Sequence, residues 1–282
     1  MHSTLAIVGA ALLSLVAAQD DSYRTLNTVS NPDWMGGLDD SRGLHSLSIP
    51  GTHESMAITG GSLTQCQENY GASADSLTAQ AQAGIRMFDI RLRIVENNKF
   101  AVHHGATYQN ANFDDVINKL GGFLDAHPEE AVILRVKQEC TGDIGSCTDV
   151  GGQSDFATIF DTYAVNDHFW QQSVSRSSAA AMPILGDIRG KIVVAVINGP
   201  NGGRVESYGL EQFSGWHDGS SDYVQDEYNV PNTGAIATKR DQVCVALVVV
   251  LEAVSHARIS GPTILGCHWK HWRPIQDVRQ LL

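Results

Sequence analysis

IRMFDIRLRI, residues 85–94, sets Ile85, Phe88, Ile90, Leu92 and Ile94 among charged side chains. An apolar residue at nearly every second position predicts a strand. This one carries Asp89 and Arg91 two residues apart, and therefore on one face. Downstream, a turn at Asn97–Asn98 leads into a second short strand, FAVHH (100–104), which stops at Gly105. FDDVINKLGGFLDAHP (113–128) spaces Phe113, Val116, Ile117, Leu120, Phe123 and Leu124 along one face of a helix, and Pro128 closes it. AVILRVKQE (131–139) is a near-continuous apolar strand ending in charge. FATIFDTYAVNDHF (156–169) reads as a helix, and KIVVAVING (191–199) as a buried strand after Pro183 and the turn GDIRG. Upstream, LHSLSIPG (44–51) places Leu47 and Ile49 in a short strand ended by Pro50 and Gly51. Asp75–Ala83 reads as a helix stopped by Gly84.

Strands that alternate with helices in this way predict a mostly parallel sheet of the α/β class. Polar residues cluster just beyond the apolar part of each strand, where a (β/α) barrel builds its active site. The expected fold is a TIM-like barrel, incomplete or distorted toward its end. A doubly wound sheet would more often show a G-x-G-x-x-G loop after a strand, and this chain has none.

The first 18 residues combine an apolar stretch from Leu5 to Ala18 with small residues before Gln19, the pattern of a cleaved signal peptide. Residues 19–43 form a polar surface segment, and 44–282 the barrel, with an atypical closing region at 231–282. A secreted, extracellular protein follows. The net charge of -12 argues against a nucleic-acid partner and against tonic attraction to an anionic membrane, leaving room for transient contact with a membrane surface. Of five cysteines, Cys140 and Cys147 are spaced to close a small disulfide loop; Cys66, Cys244 and Cys267 leave one thiol over.

Three motifs carry the chemistry. SIPGTHES (48–55), RMFDIRLR (86–93) and VHHG (102–105) put His53, the Asp89/Arg91 pair and His104 at strand ends. Isolated histidines such as His45, His168 and His256 are more often structural. Several strand-end polar groups within so short a stretch are harder to dismiss, because a barrel gathers them at one end. Cleaving a phosphodiester requires a base, an acid and a cation against the phosphoryl oxygens. Imidazole suits the first two roles and guanidinium the third. His103, beside His104, points the other way along an extended strand and is expected to be structural.

Taken with VILRVKQE, LGDIRGKIVV and VQDEYNV, these motifs make residues 44–230 resemble the X-type catalytic domain of phosphatidylinositol-specific phospholipases C, the bacterial single-domain members above all. The resemblance implies His53 as general base on the inositol 2-hydroxyl, His104 as general acid, Arg91 on the phosphoryl group and Asp89 as its supporting carboxylate. It further implies headgroup contacts from Lys137, Arg189, Asp226 and Tyr228, with Glu54 beside the substrate. The substrate would be phosphatidylinositol or a related inositol phospholipid, the products diacylglycerol and a cyclic inositol phosphate, and the protein a monomer. Calcium-dependent relatives carry a carboxylate where this chain has Arg91, so no metal and no cofactor are expected. After Val230 the family pattern breaks, and Asp277 is the late candidate for a carboxylate that orients the base. The rival readings are another secreted barrel phosphodiesterase, which would need a divalent-metal cluster, and a non-catalytic inositol-lipid or glycan binder, which would not need both His53 and His104.

Overall fold

The structure, a computed structural model, describes residues 30–58, 73–140, 147–199, 205 and 207–213, with isolated positions between 235 and 242. The chain divides into two compact units, Met1–Asp218 and Gly219–Leu282, and every element below belongs to the first. No helix among the described residues is long and apolar enough to cross a membrane.

The apolar runs read from the sequence become neighbours in one mixed sheet of six strands. They are β1 (Gly51–Thr52), β2 (Met87–Val95), β3 (Lys99–His104), β4 (Thr107–Asn112), β5 (Val132–Gln138) and β6 (Ile192–Asn198). The order is β4-β3-β2-β5-β6, with β1 paired to the start of β2. β1, β2, β5 and β6 run parallel, while β3 and β4 form an antiparallel excursion from the upper half of β2. Among the described residues the sheet does not close on itself, which is the incomplete barrel that the sequence predicts.

Among the elements described, three α-helices accompany the sheet: α1 (Ser73–Ala83), α2 (Phe113–Ala126) and α3 (Phe156–Ala164). Local chemistry sets their ends. Asp155 caps α3 by accepting the Thr158 N–H at 2.9 Å, and Asp115 accepts the Asn112 N–H at 2.8 Å at the start of α2. Gly84, at φ +113°, ends α1 in a conformation that side-chain-bearing residues rarely adopt.

Alternation on the strands divides the sheet into two faces. Phe88, Ile90 and Leu92 of β2, Val132, Leu134 and Val136 of β5, and Ile192 and Val194 of β6 share one core with the apolar stripes of α2 and α3. Every residue of β6 is buried, as expected of a parallel strand covered on both sides. The opposite face carries Asp89, Arg91, Arg135 and Lys137. A register shift between β5 and β6 takes the pairing from Leu134↔Val194 to Arg135↔Val196. That extra residue reverses the parity of β6. Ile197 therefore joins Val194 in the core, and Asn198 turns onto the face that carries Arg135.

Two local expectations change. The alternation of Leu47 and Ile49 predicts a strand before Pro50, but Leu44–Ser46 forms a 3-10 turn and the strand lies after Pro50. Proline has no N–H to give a ladder. Its carbonyl instead accepts the N–H groups of Arg86 and Met87, which starts the pairing one residue later. β4 is a strand that periodicity does not announce: in TYQNAN the residues buried against the sheet are Gln109 and Ala111.

Candidate active site

The turn after β1 supplies the first catalytic candidates. Glu54 adopts φ 45°, an unusual conformation for a non-glycine residue. What holds it is Asp89, whose side-chain Oδ2 accepts the Glu54 N–H at 3.1 Å and whose main-chain oxygen accepts the Ser55 N–H at 3.0 Å. Ser55 Oγ returns the contact by accepting the Asp89 N–H at 2.9 Å. THES is thereby stitched onto the middle of β2, and His53 is delivered beside Arg91.

β2 runs past the parallel sheet and returns as β3, with Leu92 opposite Val102. β3 ends at His104, whose ring meets Glu54 in the turn after β1. The hairpin thus carries the second histidine back to the first. β5 contributes Lys137 and, one residue beyond its end, Glu139.

Arg91 lies at the centre and is 5 % exposed. Its Nη1 is 2.8 Å from Glu54 Oε1 and 3.4 Å from Glu139 Oε2, and its Nη2 is 3.1 Å from Asp89 Oδ2. Nη2 also lies 3.3 Å from His53 Nε2. A guanidinium only donates, so Nε2 presents its lone pair, and a neutral His53 then keeps its proton on Nδ1. That nitrogen is 3.8 Å from Asp89 Oδ2. Three carboxylates thus surround a fixed guanidinium.

Glu54 links this centre to the second histidine. Its Oε2 lies 2.6 Å from His104 Nε2. The His104 pKa is raised, chiefly by this hydrogen bond and against the effect of burial. Burial alone would raise the Glu54 pKa, but the His104 bond and the Arg91 charge outweigh it and hold the carboxyl below its usual range. Asp89 behaves likewise: Arg91 and Arg135 overcome its desolvation and keep it ionised. One ring nitrogen therefore turns a lone pair to Arg91, while His104 keeps its proton to higher pH than an ordinary histidine.

His53, Glu54, Asp89, Arg91, His104 and Lys137 are all brought together, with Lys137 Nζ 3.6 Å from Glu139 Oε2. Glu54, expected beside the substrate, has both its oxygens engaged by protein groups, Arg91 and His104. Arg189 is not brought to the cluster. It precedes β6, at the opposite end of the parallel strands, where Asp40, Leu38, Met35 and Glu129 accept its hydrogen bonds. Cys140 and Cys147 form the expected disulfide. The assignments to Asp226, Tyr228 and Asp277, the pairing of Cys66, Cys244 and Cys267, the signal peptide at 1–18 and nearly all of the closing region 231–282 lie outside the described residues.

Sequence reasoning overlooked Arg135 and Glu139. Arg135 is buried, donates to Asp89 Oδ2 at 3.2 Å and to Asn198 Oδ1 at 2.9 Å, and so braces the central carboxylate from β5 and β6. Glu139 accepts the Gly105 N–H at 2.8 Å, just after His104. The signal was present: Arg135, Lys137 and Glu139 stand at every second position, the same rule that pairs Asp89 with Arg91.

Comparison with known proteins agrees with this geometry. Residues 47–197 match the family described as phosphatidylinositol-specific phospholipase C, X domain. The chain belongs to this family. Similar to it is a 1-phosphatidylinositol phosphodiesterase of Listeria monocytogenes, 28% identical over 207 residues, which cover 73% of this chain and 61% of that protein. A Staphylococcus aureus protein of the same name is 30% identical over 165 residues, 58% of this chain and 50% of the relative. The chain thus spans between half and two-thirds of the length of these curated relatives. The structure of a Listeria monocytogenes phosphatidylinositol-specific phospholipase C aligns with a TM-score of 0.50 at 25% identity, over 79% of this chain and 76% of that one. A Staphylococcus aureus phosphatidylinositol-specific phospholipase C gives 0.50 at 26%, over 69% and 61%. The X-domain family match covers β1 to β5 and all of β6 but its last residue.

Proposed function

We propose that the protein cleaves the phosphodiester of phosphatidylinositol or a closely related inositol phospholipid by acid–base catalysis without a metal, as a secreted enzyme that meets the membrane surface transiently. The observation that carries this reading is the Arg91 guanidinium held among Glu54, Asp89 and Glu139 with a histidine on either side. His53 Nε2 presents the lone pair that takes the proton from the inositol 2-hydroxyl, exchanging its Arg91 contact for the substrate. The oxygen then attacks phosphorus, and Arg91 meets the charge that gathers on the phosphoryl oxygens. His104, with its proton held by Glu54, gives that proton to the departing glycerol oxygen. The products are diacylglycerol and a cyclic inositol phosphate. Lys137, a quarter exposed beside Glu139, receives the headgroup phosphate or hydroxyls in this reading. Asp226 and Tyr228 remain proposed headgroup contacts on the strength of the family resemblance.

Phosphatidylinositol in mixed micelles, with product analysis by phosphorus NMR, tests the reading. Cyclic inositol phosphate should form at the same rate with and without a calcium chelator. Well-folded protein that releases neither product would overturn the proposal, and loss of activity on chelation would overturn its metal-free part.

A further inference from the structure

One residue before His104, the hairpin contributes to a second cluster. His103, Cys140 and Cys147 each offer a ligand atom, all within 4.8 Å of one another. His103 is 4 % exposed, and its Nδ1 has no hydrogen-bond partner among the described residues. A histidine kept only for packing would normally have that nitrogen satisfied. Burial, and then the charge of Arg93, push its pKa down, so the ring is neutral in ordinary buffers. Neutral imidazole is the form that ligates metals.

In the oxidised protein the two sulfurs are spent on each other. A thiol or phosphine reductant adds two electrons and two protons to the sulfur–sulfur bond and leaves two thiols with Cα atoms 4.5 Å apart. From the juxtaposition of these thiols with His103 we infer that the reduced protein binds one thiophilic divalent cation of the zinc type through Cys140, Cys147 and His103. Binding displaces the two thiol protons. Zinc–sulfur bonds of about 2.3 Å and zinc–nitrogen bonds of about 2.0–2.1 Å put ligand atoms roughly 3.3–3.8 Å apart in a tetrahedral site, so the imidazole nitrogen closes in from within 4.8 Å while the two sulfurs, freed of their bond, move apart. Cys147 is the partly exposed member, so water reaches the fourth position.

The site would act on the catalytic cluster through shared backbone. His103 directly precedes His104, and Cys140 directly follows Glu139. Cys147 Sγ lies 2.9 Å from the Gly105 oxygen, while Glu139 receives the Gly105 N–H. Drawing Cys140 and His103 onto a metal therefore pulls on both the acid and the carboxylate beside Arg91. The metal site stands without the proposed lipid cleavage; its effect on turnover rests on that reading.

The test uses the full mature chain carrying Cys66→Ser, Cys244→Ser and Cys267→Ser, reduced with a phosphine and titrated with Co²⁺. Thiolate-to-cobalt absorption should rise to one equivalent in the reduced protein and be absent from the oxidised one. Cys147→Ser should abolish it, and His103→Gln should weaken binding at least about tenfold, with circular dichroism matching the parent. Equal spectra in the two redox states, or an undiminished spectrum in Cys147→Ser, would sink the proposal. Zinc should then slow phosphatidylinositol cleavage by the reduced protein alone. Equal slowing of the oxidised protein would place the metal on the catalytic histidines and overturn the coupling. If no cleavage occurs at all, the cobalt spectrum still decides the site.

Discussion

Arg86 and Arg91 lie five residues apart, at the entry to β2 and within it, and they do opposite things. Arg86 is fully buried and satisfied: its Nε and Nη2 meet Glu130 Oε2 at 2.8 and 2.7 Å, and its remaining hydrogens reach the carbonyl oxygens of Ala81, Ile85 and Pro32. One carboxylate faces one guanidinium, and backbone completes the shell. Arg91 instead serves three carboxylates and a histidine, while Asp89 Oδ1 and His104 Nδ1 find no partner among the described residues. The first arrangement fixes the chain. The second leaves two buried polar atoms without a partner among the described residues, and in the proposed reaction the substrate phosphate takes Arg91 donors in exchange for these carboxylates.

That contrast breaks first at the histidines. His53→Ala and His104→Ala should each lower kcat by about 10²- to 10⁴-fold, because each removes a proton-transfer partner, while thermal melting stays near that of the parent. Near-normal rates in either variant would remove that residue from the mechanism. The two arginines should then separate cleanly. Arg91→Lys keeps the charge but loses the paired donors, and kcat should fall by about 10²- to 10³-fold with little change in stability. Arg86→Met strands a buried Glu130 and should cost about 3–5 kcal/mol of unfolding free energy, with turnover of the folded fraction unchanged. If Arg86→Met were catalytically dead yet stable, the distinction between a saturated and an unsaturated arginine would fail.

A subtler break concerns the Glu54–His104 bond. The bond raises the His104 pKa, so the acid form persists above the ordinary histidine range. Glu54→Gln should move the alkaline limb of the kcat–pH profile to lower pH. The stability effect has two edges. The His104 contribution is complete below the ordinary histidine pKa and disappears as pH rises through the raised value. The Glu54 contribution is complete above the ordinary carboxylate pKa and disappears as pH falls through the lowered one. Urea titrations of Glu54→Gln against the parent should therefore differ most in the mildly acidic range between them. A difference that is flat with pH would show that the bond is not what shifts either group.

How much of this was readable depended on whether side-chain pattern or backbone geometry carried the information. β2, β5 and β6 were legible because apolar periodicity is itself the burial pattern, and the shared face of Asp89 and Arg91 followed from a period of two. β4 was not, since Gln109 and Ala111 occupy its buried positions and leave no apolar signature. β1 was displaced because Pro50 acts through its carbonyl, which no alternation encodes. The role of Glu54 depends on a positive φ held by Asp89, a residue 35 positions away. The place of Asn198 depends on a register shift in β6 that changes which face it serves. Glu139 is the instructive omission: it obeys the same period of two and was passed over because it lies one residue beyond the apolar run.

Arg189 offers the smallest expected effect and a direct check on placement. Its position in LGDIRGKIVV resembles a headgroup-binding arginine, yet in space its donors are spent at the far end of the strands. Nε reaches Asp40 Oδ1 at 2.6 Å, Nη2 the Leu38 oxygen at 2.7 Å and Nη1 the Met35 oxygen at 3.2 Å, with Glu129 O as a further acceptor. It ties the 35–40 segment to the entry of β6 as Arg86 ties Pro32 to the entry of β2. Arg189→Ala should cost about 1–2 kcal/mol of stability and leave both kcat and KM for phosphatidylinositol within about twofold, a change smaller than the loss of one ordinary hydrogen bond to substrate. A raised KM at unchanged stability would return Arg189 to the headgroup and require that the two ends of the sheet be reassigned.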